Sequence, residues 1–82
     1  MYKNVAPDGT HNLCGSRVAA LRKARAPRMS QRALADMLQL NGLDVDKNAV
    51  QRIESGQRFV TDIELKALAC ALNVSVEELL RV

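Results

Sequence analysis

Apolar side chains recur every three or four residues in several segments of this chain, which is the spacing of one face of an α-helix. No segment alternates apolar and polar residues as a half-buried strand would. The spacing predicts a first helix over residues 15–25, with Val18 and Leu21 inward. Pro27 ends this helix near Ala26, because proline disfavours helical geometry in the residue before it. The pattern predicts an all-α chain.

Capping residues predict two further helices around a turn. Ser30 caps a second helix that fades near Gly42, where glycine readily takes a positive φ. Asp46 caps a third helix, which Gly56 ends. The pair is predicted to form a helix-turn-helix with an extended turn.

The C-terminal part carries the same signature twice. Thr61 and Glu64 have the Ser/Thr-x-x-Glu form of a capping box, and Ser75 and Glu78 repeat it. Apolar residues follow both boxes at helical spacing. The sequence therefore predicts five helices in all.

The chain is long enough for one small domain. Its 82 residues must contribute most of their apolar side chains to a single core. Residues 14–82 carry the helical pattern, whereas residues 1–13 contain Pro7 and Gly9 without apolar periodicity and are predicted to be a flexible N-terminal arm. No signal peptide or membrane-spanning apolar run is recognisable, which predicts a cytoplasmic protein without a membrane partner.

The third helix has two unlike sides. Advancing about 100° per residue from Asp46 places Ala49, Val50 and Ile53 together. The opposite side carries polar residues: Lys47, Asn48, Gln51, Arg52 and Ser55. Lys, Asn, Gln and Arg match the base edges of the DNA major groove, and a helix fits that groove. The segment predicts DNA binding, with a merely solvated helix face as the alternative.

Charge is unevenly distributed along the chain, although its net value is only +3. A run of cations without acidic neighbours lies in the N-terminal half: Arg17, Arg22, Lys23, Arg25, Arg28 and Arg32. Acidic residues are frequent near the C-terminus: Asp62, Glu64, Glu77 and Glu78. One end of the domain therefore suits a polyanion better than the other, unless the run is simply a solvated surface.

Neither a metal, a cofactor nor an enzyme activity is predicted. His11 and Cys14 have a usable spacing, but a structural zinc site needs about four ligands and only Cys70 remains. Both cysteines are expected to be reduced, and Cys70 is expected to be a small core residue. The sole histidine lies in the arm, and neither a nucleophile–base pair nor a phosphate-binding glycine loop is present.

Three pieces of the chain form a combined motif: Ser30-Gln31 with Leu34-Ala35, Val50-Gln51-Arg52-Ile53-Glu54-Ser55-Gly56, and Leu68-Ala69-Cys70-Ala71-Leu72-Asn73-Val74-Ser75 with Leu79-Leu80. Together they resemble the helix-turn-helix family of phage repressors, Cro and Xre-type regulators, over residues 15–80. The resemblance implies a five-helix, repressor-like DNA-binding domain. It implies sequence-specific binding of double-stranded DNA by a small transcriptional regulator, expected to be a repressor.

The resemblance also assigns roles by position. It implies base contacts from Lys47, Asn48, Gln51 and Arg52, and phosphate contacts from Gln31, Gln57 and Arg58. It implies an ion pair between Arg22 and Glu54, for which an exposed, unpaired Glu54 is the alternative. The turn is roughly five residues longer than the family's usual version. A shifted helix would bring Lys47 or Ser55 to the groove floor in place of Asn48, and Lys47 is open to either a base or a phosphate role.

A homodimer on two related half-sites is expected, because two-fold proteins match half-sites about one helical turn apart. Val76, Leu79, Leu80 and Val82 either form the dimer surface or pack in the monomer core. No small-molecule ligand is evident. The competing function is a protein-interaction module, such as an antitoxin or accessory subunit with the same fold.

Overall fold

The computed structural model describes residues 9–25 and 27–80. These residues form five α-helices and no β-strand: α1 (Gly15–Ala24), α2 (Gln31–Leu40), α3 (Lys47–Glu54), α4 (Asp62–Leu72) and α5 (Val76–Leu80). The predicted all-α, five-helix fold is confirmed. None of the helices in this part of the chain is long and apolar enough to cross a membrane. Residues 1–8 of the expected arm, Ala26 and Val82 lie outside the described residues.

Local hydrogen bonds begin and end the helices as the sequence predicted. The side chains of Ser30 and Asp46 each accept a hydrogen bond from the backbone N–H three residues ahead. Thr61 and Glu64 form the complete, reciprocal capping box. The helix α3 ends at Glu54, and Gly56 follows with a φ of +78°. These bonds satisfy backbone groups that a helix end leaves unpaired.

An aliphatic core joins the helices. The helix α3 packs on α1 and α2, and α4 packs on α1, α2 and α5. The largest fully buried side chains of this core come from all five helices: Val18, Leu34, Leu38, Val50, Ile53, Leu68 and Leu79. Leu79 therefore belongs to the monomer core. Of the expected dimer-surface residues, Val76 is half-buried and only Leu80 is exposed among those described.

The two cysteines differ in exposure, which corrects the prediction for Cys70. Cys14 is buried, and its burial raises the pKa of the thiol, whereas Cys70 is exposed. On α4, Leu68 and Leu72 turn inward, and the helical period places Cys70 on the opposite side. Ile63 shares that outward side and is 69% exposed.

Residues 10–15, which include the end of the predicted arm, lie against the C-terminal end of α3. The Nδ2 group of Asn12 donates to the carbonyl oxygens of Ile53 (3.1 Å) and Arg58 (2.7 Å). Its Oδ1 atom accepts from the N–H of Gly15 (2.8 Å). A Cβ atom on Gly15 would overlap the Ile53 carbonyl oxygen, so this approach requires glycine. One amide thus joins the start of α1 to the end of α3.

A buried ion pair joins the same two helices from another side. The Arg22 guanidinium donates from Nε to Glu54 Oε2 (2.7 Å) and from Nη2 to Glu54 Oε1 (3.0 Å). The two side chains are only 8% and 7% exposed. Arg22 Nη1 also donates to the Met29 carbonyl oxygen (3.0 Å). The bidentate geometry gives strong, directional hydrogen bonds.

We expect Arg22→Ala or Glu54→Ala to lower the free energy of unfolding by about 3 kcal/mol, because each leaves a buried charge without its partner. Urea unfolding measures the loss. Arg17→Ala is the control, since the Arg17–Glu78 pair is 34% and 35% exposed and should contribute at most about 1 kcal/mol. Parental stability of both Arg22→Ala and Glu54→Ala would contradict the structural role. Both variants should retain the parental preference among DNA sequences.

We expect Asn12→Ala to cost about 1–3 kcal/mol, because it removes the Asn12 partner of the Arg58 carbonyl oxygen and of the Gly15 N–H in a partly buried site, while the Ile53 carbonyl oxygen keeps only the Gly56 N–H. The matched control is Asn41→Ala, which removes one exposed hydrogen bond to the Met37 carbonyl oxygen. Thermal unfolding of both variants measures the difference. Equal melting temperatures for Asn12→Ala and Asn41→Ala would show that the Asn12 contacts do not hold the fold.

Candidate nucleic-acid interface

The helix α3 presents a continuous polar face to solvent. Lys47, Asn48, Gln51 and Arg52 are all exposed, while Val50 and Ile53 on the other side are buried. None of the four exposed side chains makes a hydrogen bond or ion pair with another described residue. Their donors and acceptors are therefore available to a partner. Ser55, in contrast, donates its hydroxyl to the Arg52 carbonyl oxygen (3.2 Å).

Gln31, an expected phosphate contact, begins α2 and is bound within the protein. Its Nε2 group donates to Glu54 Oε1 (3.0 Å), which also accepts from Arg22. The three side chains form one hydrogen-bonded group that joins α1, α2 and α3. This geometry uses one of the two N–H bonds of the Gln31 amide.

Gln57 and Arg58, the other expected phosphate contacts, follow α3. Gln57 is exposed, and its side chain makes no hydrogen bond to a described residue. Arg58 donates to both carboxylate oxygens of Glu64, at 3.1 Å and 2.7 Å. These hydrogen bonds lower the pKa of Glu64 below its usual value. The charge of Arg58 is therefore already balanced within the protein.

The six cations of the N-terminal run fall into two groups: three bind other groups of the protein, and three do not bind a described residue. Arg17 pairs with Glu78 (3.1 Å), Arg22 pairs with Glu54, and Arg25 donates to the Ala71 carbonyl oxygen (3.3 Å). No ion pair or side-chain hydrogen bond to a described residue involves the other three, Lys23, Arg28 and Arg32. Half of the run is thus structural.

An open, basic groove lies between the N-terminal parts of α2 and α3. It has a volume of about 510 Å³ and is lined by Arg22, Arg28, Ser30, Gln31, Arg32 and Lys47. We call Arg28, Arg32 and Lys47 the groove cations; all three are exposed. No carboxylate of a described residue lines this groove. The groove therefore has an uncompensated positive charge beside the polar face of α3.

Sequence reasoning missed two features of this region. Arg28 and Arg32 belong to the cation run of the sequence, but the sequence does not show that they share a groove with Lys47. Asn12 was not singled out, since its partners Ile53 and Arg58 lie more than 40 residues away. The Asn-x-x-Gly spacing of residues 12–15 is the only local signal for that contact.

Comparisons with known proteins agree with this architecture. The helix-turn-helix family model HTH_3 matches residues 18–79. The crystal structure of the restriction-modification controller protein C.AhdI from Aeromonas hydrophila is similar, with a TM-score of 0.67 and 34% sequence identity over 79% of this chain and 88% of that chain. No curated protein sequence is significantly similar. The chain belongs to the Xre-like helix-turn-helix family of DNA-binding transcriptional regulators.

Proposed function

We propose that this protein is a repressor that binds a specific double-stranded DNA sequence by placing α3 in the major groove. The observation that carries the proposal is the face of α3 formed by Lys47, Asn48, Gln51 and Arg52, whose side chains have no partner among the described residues. The protein acts by binding and needs no cofactor. A regulator of this kind works in the compartment that holds the DNA, which is the basis for a cytoplasmic location.

The chemistry of three side chains supports base reading. Asn48 and Gln51 each offer an amide that can pair in bidentate fashion with adenine N6 and N7. Arg52 offers a guanidinium for guanine O6 and N7. Asn48 and Gln51 are three residues apart, and Arg52 follows, so the three side chains follow the exposed side of one short helix. Such a helix can contact successive base pairs.

A protein-interaction module is the competing function. Protein interfaces are enriched in aromatic side chains at their centre and depleted in lysine. The exposed face of α3 has no aromatic residue, and it begins with Lys47. This composition favours DNA over a protein partner for the α3 face.

We also propose contacts to the phosphates of the DNA backbone from the start of α2 and from the loop after α3. Gln57 is exposed and its side-chain amide makes no hydrogen bond to a described residue, so we assign it a phosphate contact. Gln31 and Arg58 keep only the N–H groups that their bonds to Glu54 and Glu64 leave over. We therefore propose that Gln31 and Arg58 each bind a phosphate while they keep their hydrogen bonds to Glu54 and Glu64.

We further propose that the protein binds as a homodimer to two half-sites about one helical turn apart, because two related half-sites give a small domain enough interface for specific binding. Leu80, which is 41% exposed, is the apolar candidate for the dimer surface on α5. Leu13 is 47% exposed and lines the same shallow cleft as Leu80.

We expect alanine at Asn48, Gln51 or Arg52 to cost about 1–3 kcal/mol on the preferred duplex and to relax discrimination at the base pair that each side chain contacts. The preferred duplex is selected from random DNA, and binding is measured on it and on a scrambled duplex across a salt series. Asn48→Ala and Gln51→Ala should leave the salt dependence unchanged, because both side chains are neutral. Lys66→Ala on α4 is the control for a lost exposed charge. Equal losses on both duplexes for all three variants would overturn the assignment of α3 as the reading helix.

We expect light scattering to give the mass of a dimer for the parent protein on its preferred DNA, and Leu80→Glu to weaken that dimer by placing a charge in its interface. Leu40→Glu is the matched control, since Leu40 ends α2 and is 87% exposed. A monomer both free and on the preferred duplex would reject the dimer. A dimer that Leu80→Glu leaves unchanged would place the interface elsewhere.

A further inference from the structure

The basic groove contains cations that make no ion pair with a described residue. Its lining includes one arginine with a carboxylate partner, Arg22, and the groove cations Arg28, Arg32 and Lys47, which have none among the described residues. Like charges gathered at one place repel one another, and only solvent and counterions offset that repulsion in the free protein. A bound anion would relieve it.

The position of the groove indicates which anion fits. Lys47 belongs both to the groove and to the first turn of α3, so the groove adjoins the proposed reading face. The groove is open rather than enclosed, and every residue that lines it is polar or basic, so it suits the backbone of a long polyanion better than a small apolar ligand. The start of α2, at Ser30 and Gln31, adds the positive end of a helix dipole to the same field.

We infer that the groove cations Arg28, Arg32 and Lys47 hold the DNA backbone phosphates beside the reading helix. This inference rests on the proposed function and adds three residues to those that position the protein on DNA. Gln31 and Arg58, which the family resemblance indicates for phosphate contact, already donate to Glu54 and Glu64. The groove cations have no such bond to another described residue, so their counterions alone are displaced when a phosphate binds.

The inference also decides the role of Lys47, for which the sequence left base and phosphate contact open. Its side chain lines the groove together with Arg28 and Arg32. Lysine binds phosphate as a point charge, whereas its flexible stem gives less geometric selection of a base edge than a guanidinium or amide. Lys47 is therefore a positioning residue, and base reading is left to the residues that follow it on α3.

The first experiment measures the salt dependence of binding for Arg28→Gln, Arg32→Gln and Lys47→Gln. Each variant should reduce the slope of log K against log salt by about 0.9, which is the value for one phosphate contact. Between 50 and 200 mM salt, each variant should therefore lose about 3.5-fold less affinity than the parent. The loss of binding should be the same on the preferred and scrambled duplexes, because phosphates carry no sequence information.

Two kinds of control accompany the series. Lys66→Gln removes the same charge from α4, outside the groove, and should keep the parental slope. Arg28→Lys and Arg32→Lys retain the charge and should restore the slope that the glutamine variants lose. Unfolding curves should be parental for all variants, because the side chains of the groove cations make no hydrogen bond or ion pair with a described residue.

A second experiment locates the phosphate. Preferred duplexes are prepared with a single neutral methylphosphonate linkage, moved one position at a time along each strand. The parent should bind some of these duplexes severalfold more weakly, and the triple Arg28→Gln, Arg32→Gln, Lys47→Gln variant should show no further loss at those positions. Non-additive losses of this kind identify two partners of one contact.

The outcomes separate this inference from the proposed function. If the parent selects a duplex but the three glutamine variants keep its salt slope, the groove assignment is wrong and the reading helix stands. A loss confined to the preferred duplex would make the groove cations base readers and would also overturn the assignment. If the parent protein prefers no duplex, the proposed sequence-specific DNA binding is wrong, and the groove inference that rests on it is wrong as well.

Discussion

The carboxylate of Glu54 receives hydrogen bonds from two helices that precede it in the chain. Arg22 of α1 donates two of them and Gln31 of α2 donates the third. Glu54 itself ends α3, so one side chain fixes the relative placement of three helices. A buried ion pair gains little net stability over well-packed apolar residues, but the loss of one partner is costly. The group therefore holds α1 and α2 to the C-terminal end of α3.

The backbone at the end of α3 is held independently. Asn12 bonds to the carbonyl oxygens of Ile53 and Arg58, and Gly15 allows α1 to begin directly against that turn. The side-chain group around Glu54 and the amide of Asn12 thus hold the same end of one short helix. An eight-residue helix has little stability alone, so its position depends on such tertiary contacts. Its polar face is left without partners among the described residues.

The cations of this domain differ in whether they bind other groups of the protein. The cations that stabilise the fold face carboxylates or carbonyl oxygens: Arg17, Arg22, Arg25 and Arg58. The groove cations and Arg52 face solvent without a carboxylate partner among the described residues. Net charge alone does not reveal this division, because +3 is the sum of paired and unpaired groups. The groove cations and Arg52 lie on and beside α3, where a polyanion would approach.

The sequence by itself determined the five helices, their caps and the two sides of α3. Those features depend on hydrogen bonds and periodicity within a few residues, which is why Ser30, Asp46 and Thr61 could be identified as caps. The Arg22–Glu54 pair spans 32 residues and was expected only from a family resemblance. Tertiary structure decided the outward position of Cys70, the role of Asn12 and the grouping of the groove cations. Each of these depends on which faces of distant helices meet, and local sequence patterns do not contain that information.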